Sequence, residues 1–299
     1  MWCYNESINK NKGGLTIKII AILNLKGGIG KSTTAKNMAY ILGKDYGKRV
    51  LLGDMDSSGN LSAAMYRGDS SPESPVVCKS ENPYDDYGMS HLLKDRGCEP
   101  HDYIIKTSFE NVSIIPSNDT LQETDSLIRI DTAVPQQYRL SRQLRKVQNE
   151  YDYCILDCPP AFDMIVTNAL YCAHEVIIPS SINKDSIDAI DRVARFIDEI
   201  SEFNPSLMLR GVLFTRIAGN NSLDKNGLMQ MKEVLPYPVF NTYIRNSIVV
   251  ENSRFLNMSI REYDKKSNPA IDYDNFVAEY LGKPLPHEPA NTNMSNGEE

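Results

Sequence analysis

LNLKGGIGKSTTAKN, residues 23–37, places glycine at three of four consecutive positions and closes them with Lys31 and Ser32. A phosphate-binding loop of the ordinary pattern G-x-x-x-x-G-K-[ST] ends the same way. Its first glycine would fall at residue 25, which is leucine, and a second lysine, Lys26, stands directly before Gly27 and Gly28. Glycines after a strand let backbone N–H groups curl around phosphate oxygens, and the helix that follows adds its positive N-terminal end. In that arrangement Lys31 reaches the β- and γ-phosphates and the Ser32 hydroxyl ligates Mg²⁺. The question left by the stretch is what Lys26 is for.

The flanks fit. TIKIIAIL (16–23) reads as a buried strand and KSTTAKNMAYILGK (31–44) as the helix after it. Further apolar runs follow in KRVLLGDMD, NVSIIPS, YDYCILDCPP, HEVIIPSS and LRGVLFTR, separated by helical patterns such as SIDAIDRVARFIDEI. Near-continuous Ile/Val/Leu runs alternating with helices predict an α/β fold with a mostly parallel, doubly wound sheet flanked by helices. Residues 67–101, rich in Pro, Ser and Asp, read as a surface excursion. The organisation expected is a flexible N-terminal arm over 1–15, one domain over 16–282 and a disordered polar tail over 283–299.

Two of the strands end in carboxylates. VLLGDMDSSGN carries Asp54 and Asp56 on one side of the chain, because strand side chains alternate, and CILDCPP carries Asp157. A lone Asp at a strand end is a common turn former. Three at the carboxyl ends of parallel strands, beside a phosphate loop, lie where open α/β sheets bind ligands.

The bulk composition is that of an ordinary globular chain, with 299 residues, 41% hydrophobic and 24% charged. Six cysteines show no C-x-x-C pair and no zinc spacing, and Cys154 and Cys158 in an apolar run read as buried free thiols, which suits a cytoplasmic protein. No apolar run approaches the roughly 20 residues of a membrane span. A net charge of −7 excludes a protein coated in basic residues but leaves room for a local basic patch.

The constellation resembles the ParA/MinD family of deviant P-loop ATPases. Its loop, K-G-G-x-G-K-[ST], is matched by Lys26-Gly27-Gly28-Ile29-Gly30-Lys31-Ser32. Its D-x-D strand end is Asp54-Met55-Asp56, although the Pro-Gln that follows in ParA proteins is replaced by Ser57-Ser58. Its D-C-P-P motif is Asp157 to Pro160. The resemblance implies a P-loop NTPase fold, the cofactors ATP and Mg²⁺, nucleotide binding by residues 26–33 including Thr33, and catalysis by Lys26, Lys31 and Asp56. It places Ser32, Asp54 and Asp157 around the metal, with Asp56 positioning the attacking water. It also answers the question of Lys26, which in this family acts across an ATP-dependent homodimer on the partner's nucleotide.

Within the family, Cys78 and Cys98 lack the glycine-rich setting of the nitrogenase iron protein's cluster ligands, and the tail PLPHEPANTNMSNGEE has neither a basic membrane helix nor a tyrosine cluster. The resemblance then implies a DNA segregation ATPase of the plasmid or mobile-element partition type. Such a protein is cytoplasmic and nucleoid-associated, binds non-specific DNA as a dimer, and is stimulated by a ParB-like or other small activator protein. The alternative is a MinD-like positioning ATPase for a protein cargo. The DNA-binding residues expected are Arg245, Arg216 and Arg254, in a region that also holds Lys225, Arg261, Lys265 and Lys266. Arg245 matches a basic position of the family's IPRN-like stretch, while Ile248 stands where many chromosomal relatives carry a second arginine. The arm before the loop is too short for a helix-turn-helix, so sequence-specific autorepression is not expected.

Overall fold

A computed structural model describes residues 16–65, 87–218 and 222–288. Its centre is a seven-stranded sheet of β1 (Lys18–Ile22), β2 (Val50–Asp54), β3 (Ile105–Lys106), β4 (Val112–Ile115), β5 (Tyr153–Asp157), β6 (Glu175–Ser180) and β7 (Met208–Phe214), in the order β3-β4-β2-β5-β1-β6-β7. Every pairing is parallel except β3 with β4. The sequence expectation of a mostly parallel, helix-flanked sheet holds.

The unbroken apolar runs are explained by two core layers. Ile19, Ala21 and Leu23 pack on one face with Leu51, Cys154, Leu156, Val176 and Ile178, whereas Ile20 and Ile22 pack on the other with Val50, Leu52, Ile155 and Ile177. Alternate side chains of one strand thus enter opposite layers, both dry. Helices α4 (Thr120–Ile130), α5 (Arg139–Val147), α6 (Met164–Cys172) and α7 (Lys184–Ser201) cover the first face; α1 (Lys31–Tyr46) and α11 (Asn268–Tyr280) cover the second. The other α-helices of the described residues are α2 (Asn60–Ala64), α3 (Met89–Lys94), α8 (Ser222–Val234), α9 (Ile248–Phe255) and α10 (Ile260–Tyr263).

Helix α1 shows how tightly that second layer is set. A Cβ on Gly43 would lie 2.3 Å from the backbone oxygen of Glu110 and 3.0 Å from Val112 Cγ2. Glycine inside a helix ordinarily costs about 1 kcal/mol against alanine. Here the sign reverses, because backbone oxygen cannot move aside cheaply. Gly43→Ala is expected to lower stability by about 2 kcal/mol, as overpacking does; a denaturant midpoint at or above that of the wild type would contradict this packing.

Three expectations need correction. The surface excursion over 67–101 does not hold for its second half, where α3 (Met89–Lys94) buries Met89, Leu92 and Leu93 in the first core layer. Its i, i+3, i+4 stripe was masked by the Pro and Ser around it; residues 67–86 lie outside the described residues. The polar tail is docked at its start, since the His287 N–H donates to Asn275 Oδ1 (3.1 Å) and its ring meets Asp274 Oδ2 at 3.1 Å. Strand β3 was not expected at all, two residues being too short to show a period. The arm over 1–15 and the tail beyond 288 lie outside the described residues, as do Cys3 and Cys78. Cys154 and Cys158 are fully buried free thiols, as expected.

Candidate nucleotide-binding site

The site forms where β1 leaves the sheet. The Leu23 N–H donates to Ile177 O at 3.1 Å, and Asn24, 1% exposed, donates through Nδ2 to Pro179 O (2.8 Å). Asn24 Oδ1 accepts the Lys26 N–H at 3.1 Å, so the base of the loop is tied to β6 before the glycines begin. Gly28 and Gly30 then take φ of 71° and 88°, the left-handed region that any side chain penalises. Gly30 caps α1 with no side-chain hydrogen bond. The first-turn N–H groups of that helix therefore keep their donors for an anion, where the helix dipole also favours negative charge.

Lys31 is 8% exposed and its Nζ donates to Lys26 O at 3.2 Å. Burial lowers its pKa, against the pull of the Asp157 and Asp56 carboxylates. An ammonium held this way is a charge short of counter-charge, the condition under which an incoming phosphate is most welcome. Around it opens a cleft of about 290 Å³ that the loop lines through Gly27, Gly28, Gly30, Lys31, Ser32 and Thr33. Ile29 is turned into the protein, 3% exposed, and Lys26 is not among the residues lining the cleft of its own chain.

The three carboxylates are placed differently from one another. Asp54 and Asp157 face each other in register at the ends of β2 and β5, both buried. Asp54 is spent on its own chain: Oδ2 accepts the Ser62 N–H (2.8 Å) and Ser62 hydroxyl (2.6 Å), and Oδ1 accepts the Asp56 N–H (3.2 Å). It organises the loop that carries Asp56, a role the sequence did not disclose. Asp157 is the opposite case, because among the described residues neither of its carboxylate oxygens makes a hydrogen bond of good geometry. Burial, reinforced by the neighbouring Asp54 charge, pushes its carboxyl well above the usual range, while the nearby Ser32 hydroxyl and Lys31 favour the charged form. An orphaned buried carboxylate beside a hydroxyl and a phosphate loop fits a hard divalent cation. Among the described residues no cluster of three or more His, Cys, Asp or Glu makes a metal cage. The donor set therefore suits Mg²⁺, which keeps waters and phosphate oxygens as ligands and takes only one or two groups from the protein. Asp56 lines the cleft, half-buried, with Oδ1 accepting the Ser58 N–H at 2.9 Å.

The three arginines expected on a DNA surface line this cleft. Arg245 is clamped by Asp272, 3% exposed, through its backbone N–H (2.8 Å), Nε (2.9 Å) and Nη2 (2.7 Å). Its guanidinium is thereby neutralised by a buried partner on α11. Arg216 donates from Nη1 to Gly28 O (2.6 Å). Arg254, exposed on α9 (Ile248–Phe255), donates from Nη2 to Asn60 Oδ1 at 3.2 Å across the cleft mouth. Of the remaining basic residues, Arg261 is paired with Asp45 and Asp274, whereas Lys265 and Lys266 are exposed. The side chain of Lys225 lies outside those described.

Sequence reading missed Asn24, Thr215 and Tyr273. Tyr273 on α11 meets Thr34 of α1 at 3.1 Å between hydroxyls, and Thr215 Oγ1 donates to Ile29 O at 2.7 Å. Thr215 follows β7 at its carboxyl end, the same rule that picked out the aspartates. Nothing local marks Tyr273, which is 239 residues from its partner.

A family model described as an AAA domain matches residues 17–209. The sporulation initiation inhibitor protein Soj of Bacillus subtilis is 29% identical over 263 residues, spanning 88% of this chain and 97% of Soj. The chromosome partitioning protein ParA of Myxococcus xanthus is 26% identical over 280 residues, 93% of each chain. Among solved structures, cobyrinic acid a,c-diamide synthase from Mycobacterium smegmatis with bound ATP analog and magnesium superposes with a TM-score of 0.68 at 24% identity, covering 91% of this chain and 99% of that one. Among the described residues no helix is long and apolar enough to cross a membrane.

Proposed function

Because the chain belongs to the ParA/MinD family of P-loop ATPases, we propose that it is an ATP-driven dimer switch for DNA segregation. In this reading ATP is hydrolysed to ADP and phosphate under stimulation by a small activator protein. The observation that carries it is the convergence on one cleft of the glycine loop, buried Lys31 and Asp56, with Asp157 buried beside them in register with Asp54.

The residues divide the work. The N–H groups of the loop and of the first turn of α1 bind the phosphates, and Lys31 leaves Lys26 O for them. Ser32 and Asp157 would hold Mg²⁺, which when bound would offset the charge shared between phosphate oxygens. Asp54 keeps the Asp56 loop in place, and Asp56 orients the water that attacks the γ-phosphate. Pre-set donors and a positioned water supply most of what phosphoryl transfer requires of a protein.

Lys26 serves the partner's nucleotide, as the resemblance of its loop to the family implies. Lys26→Ala is therefore expected to bind ATP as a monomer with unchanged affinity, yet to lose the ATP-dependent dimer. A normal dimer of this variant on sedimentation with ATP would contradict the trans role.

DNA is bound non-specifically by the dimer, which doubles any basic patch on one rigid surface and so gains by effective concentration. With Arg245 clamped on buried Asp272 and Arg216 bonded to the phosphate loop, the contacts fall to the exposed Arg254, Lys265 and Lys266. Log affinity should fall linearly with log salt, and Arg254→Ala should flatten the slope by about 2, one phosphate per subunit. The test is retention of DNA with ATP, with ADP and without nucleotide. Retention confined to ATP supports the segregation reading. No retention at low salt would favour the second reading, a MinD-like ATPase that positions a protein cargo, to which the clamping of Arg245 by buried Asp272 already lends weight. In either case the protein works in the cytoplasm, nucleoid-associated in the first.

A further inference from the structure

Two consecutive residues just past β7 grip two consecutive carbonyls of the phosphate loop. Thr215, 2% exposed, donates from Oγ1 to Ile29 O at 2.7 Å, and its own N–H is fixed on Ser180 O at 2.7 Å. Arg216 donates from Nη1 to Gly28 O at 2.6 Å, a short bond from a charged donor. To reach it, Arg216 holds φ at 61°, a left-handed conformation that costs a side-chain-bearing residue about 1–2 kcal/mol. Such strain persists only where the surroundings over-determine it, and here the flanks do: Ile217 N–H donates to Ile244 O (3.1 Å) and Asn246 N–H to Ile217 O (2.8 Å).

The grip has a consequence for the opposite side of each peptide plane. Among the described residues no peptide is cis, so each C=O and the N–H that follows it point in opposite directions. Fixing Gly28 O fixes the Ile29 N–H, and fixing Ile29 O fixes the Gly30 N–H. We infer that Thr215 and Arg216 are positioning residues for the nucleotide: by holding these two carbonyls they aim the Ile29 and Gly30 N–H groups at the phosphate chain before it arrives. The inference rests on the nucleotide reading above and assigns Arg216 to the phosphate loop in place of DNA. Since the donors it sets belong to the inner part of the loop, Arg216 acts on diphosphate and triphosphate alike. Pre-aimed N–H groups need no reorientation on binding, which is where the affinity comes from.

The test is calorimetric affinity for ADP and for a non-hydrolysable ATP analogue, each with magnesium. Arg216→Gly removes the guanidinium and also relaxes the left-handed backbone, so the fold tolerates it. It should weaken both nucleotides by about tenfold, the worth of a charge-assisted bond. Thr215→Val should weaken both by at least about threefold. Arg216→Lys, which can still donate to Gly28 O, should recover most of the loss. Unchanged affinity in both Arg216→Gly and Thr215→Val would overturn the inference, as would a loss limited to the triphosphate or one that Arg216→Lys does not recover. If Lys31→Ala abolishes binding in the same assay, the nucleotide reading stands whatever these variants do; if it does not, that reading fails first.

Discussion

Lys31→Ala is expected to remove nucleotide binding, with ATP affinity in calorimetry falling by at least about a hundredfold, the usual cost of deleting one partner of a desolvated charge pair. The side chain is 8% exposed and points its ammonium at a backbone oxygen, Lys26 O, while burial presses against its charge. A phosphate supplies what this ammonium lacks. Without it, the loop offers backbone donors alone, and Asp157 and Asp56 confront the incoming phosphates with no ammonium between them. Thermal unfolding without nucleotide should change little or rise, because a penalised buried charge is gone. Unchanged ATP affinity in this variant would remove the cleft's assignment.

Asp56→Ala should leave ATP affinity within about threefold of the wild type and lower the hydrolysis rate by a factor of about 10² to 10³, the range of a positioned proton acceptor. The separation of effects follows from geometry. Asp54, not Asp56, carries the hydrogen bonds to Ser62 that hold the loop, and the one side-chain bond lost is that from the Ser58 N–H. The variant therefore keeps its fold and its phosphate donors. In the proposed switch hydrolysis ends the dimer, so ATP-bound dimers of this variant should accumulate. Hydrolysis at the wild-type rate would take the water-positioning role away from Asp56.

The phosphate loop and α1 were legible because everything that shapes them is local: glycines, lysine and a following apolar helix within residues 23–46. The positions of Asp54 and Asp157 were legible from the rule that parallel strands end at ligand sites. Their division of labour was not. Only the folded chain brings Ser62 onto Asp54 and leaves Asp157 unpartnered. The partners of the arginines were hidden for the same reason. Charge and family position say that Arg216, Arg245 and Arg254 are basic, but their partners lie 188, 27 and 194 residues away, at Gly28, Asp272 and Asn60. Such pairings are made by the sheet order, which returns β7 and the segments after it to the mouth of the first loop. Helix α3 was hidden differently, its short apolar stripe lying next to a Pro- and Ser-rich segment that set the reading for the whole stretch.

The most direct measurement of the switch is sedimentation velocity of the full chain with magnesium and ATP, with ADP, and without nucleotide, using Asp56→Ala to hold the triphosphate state. A monomer without nucleotide and with ADP, and a dimer with ATP that Asp56→Ala makes persistent and Lys26→Ala abolishes, is the predicted result. The same sedimentation coefficient in all three conditions, with ATP bound, would contradict it.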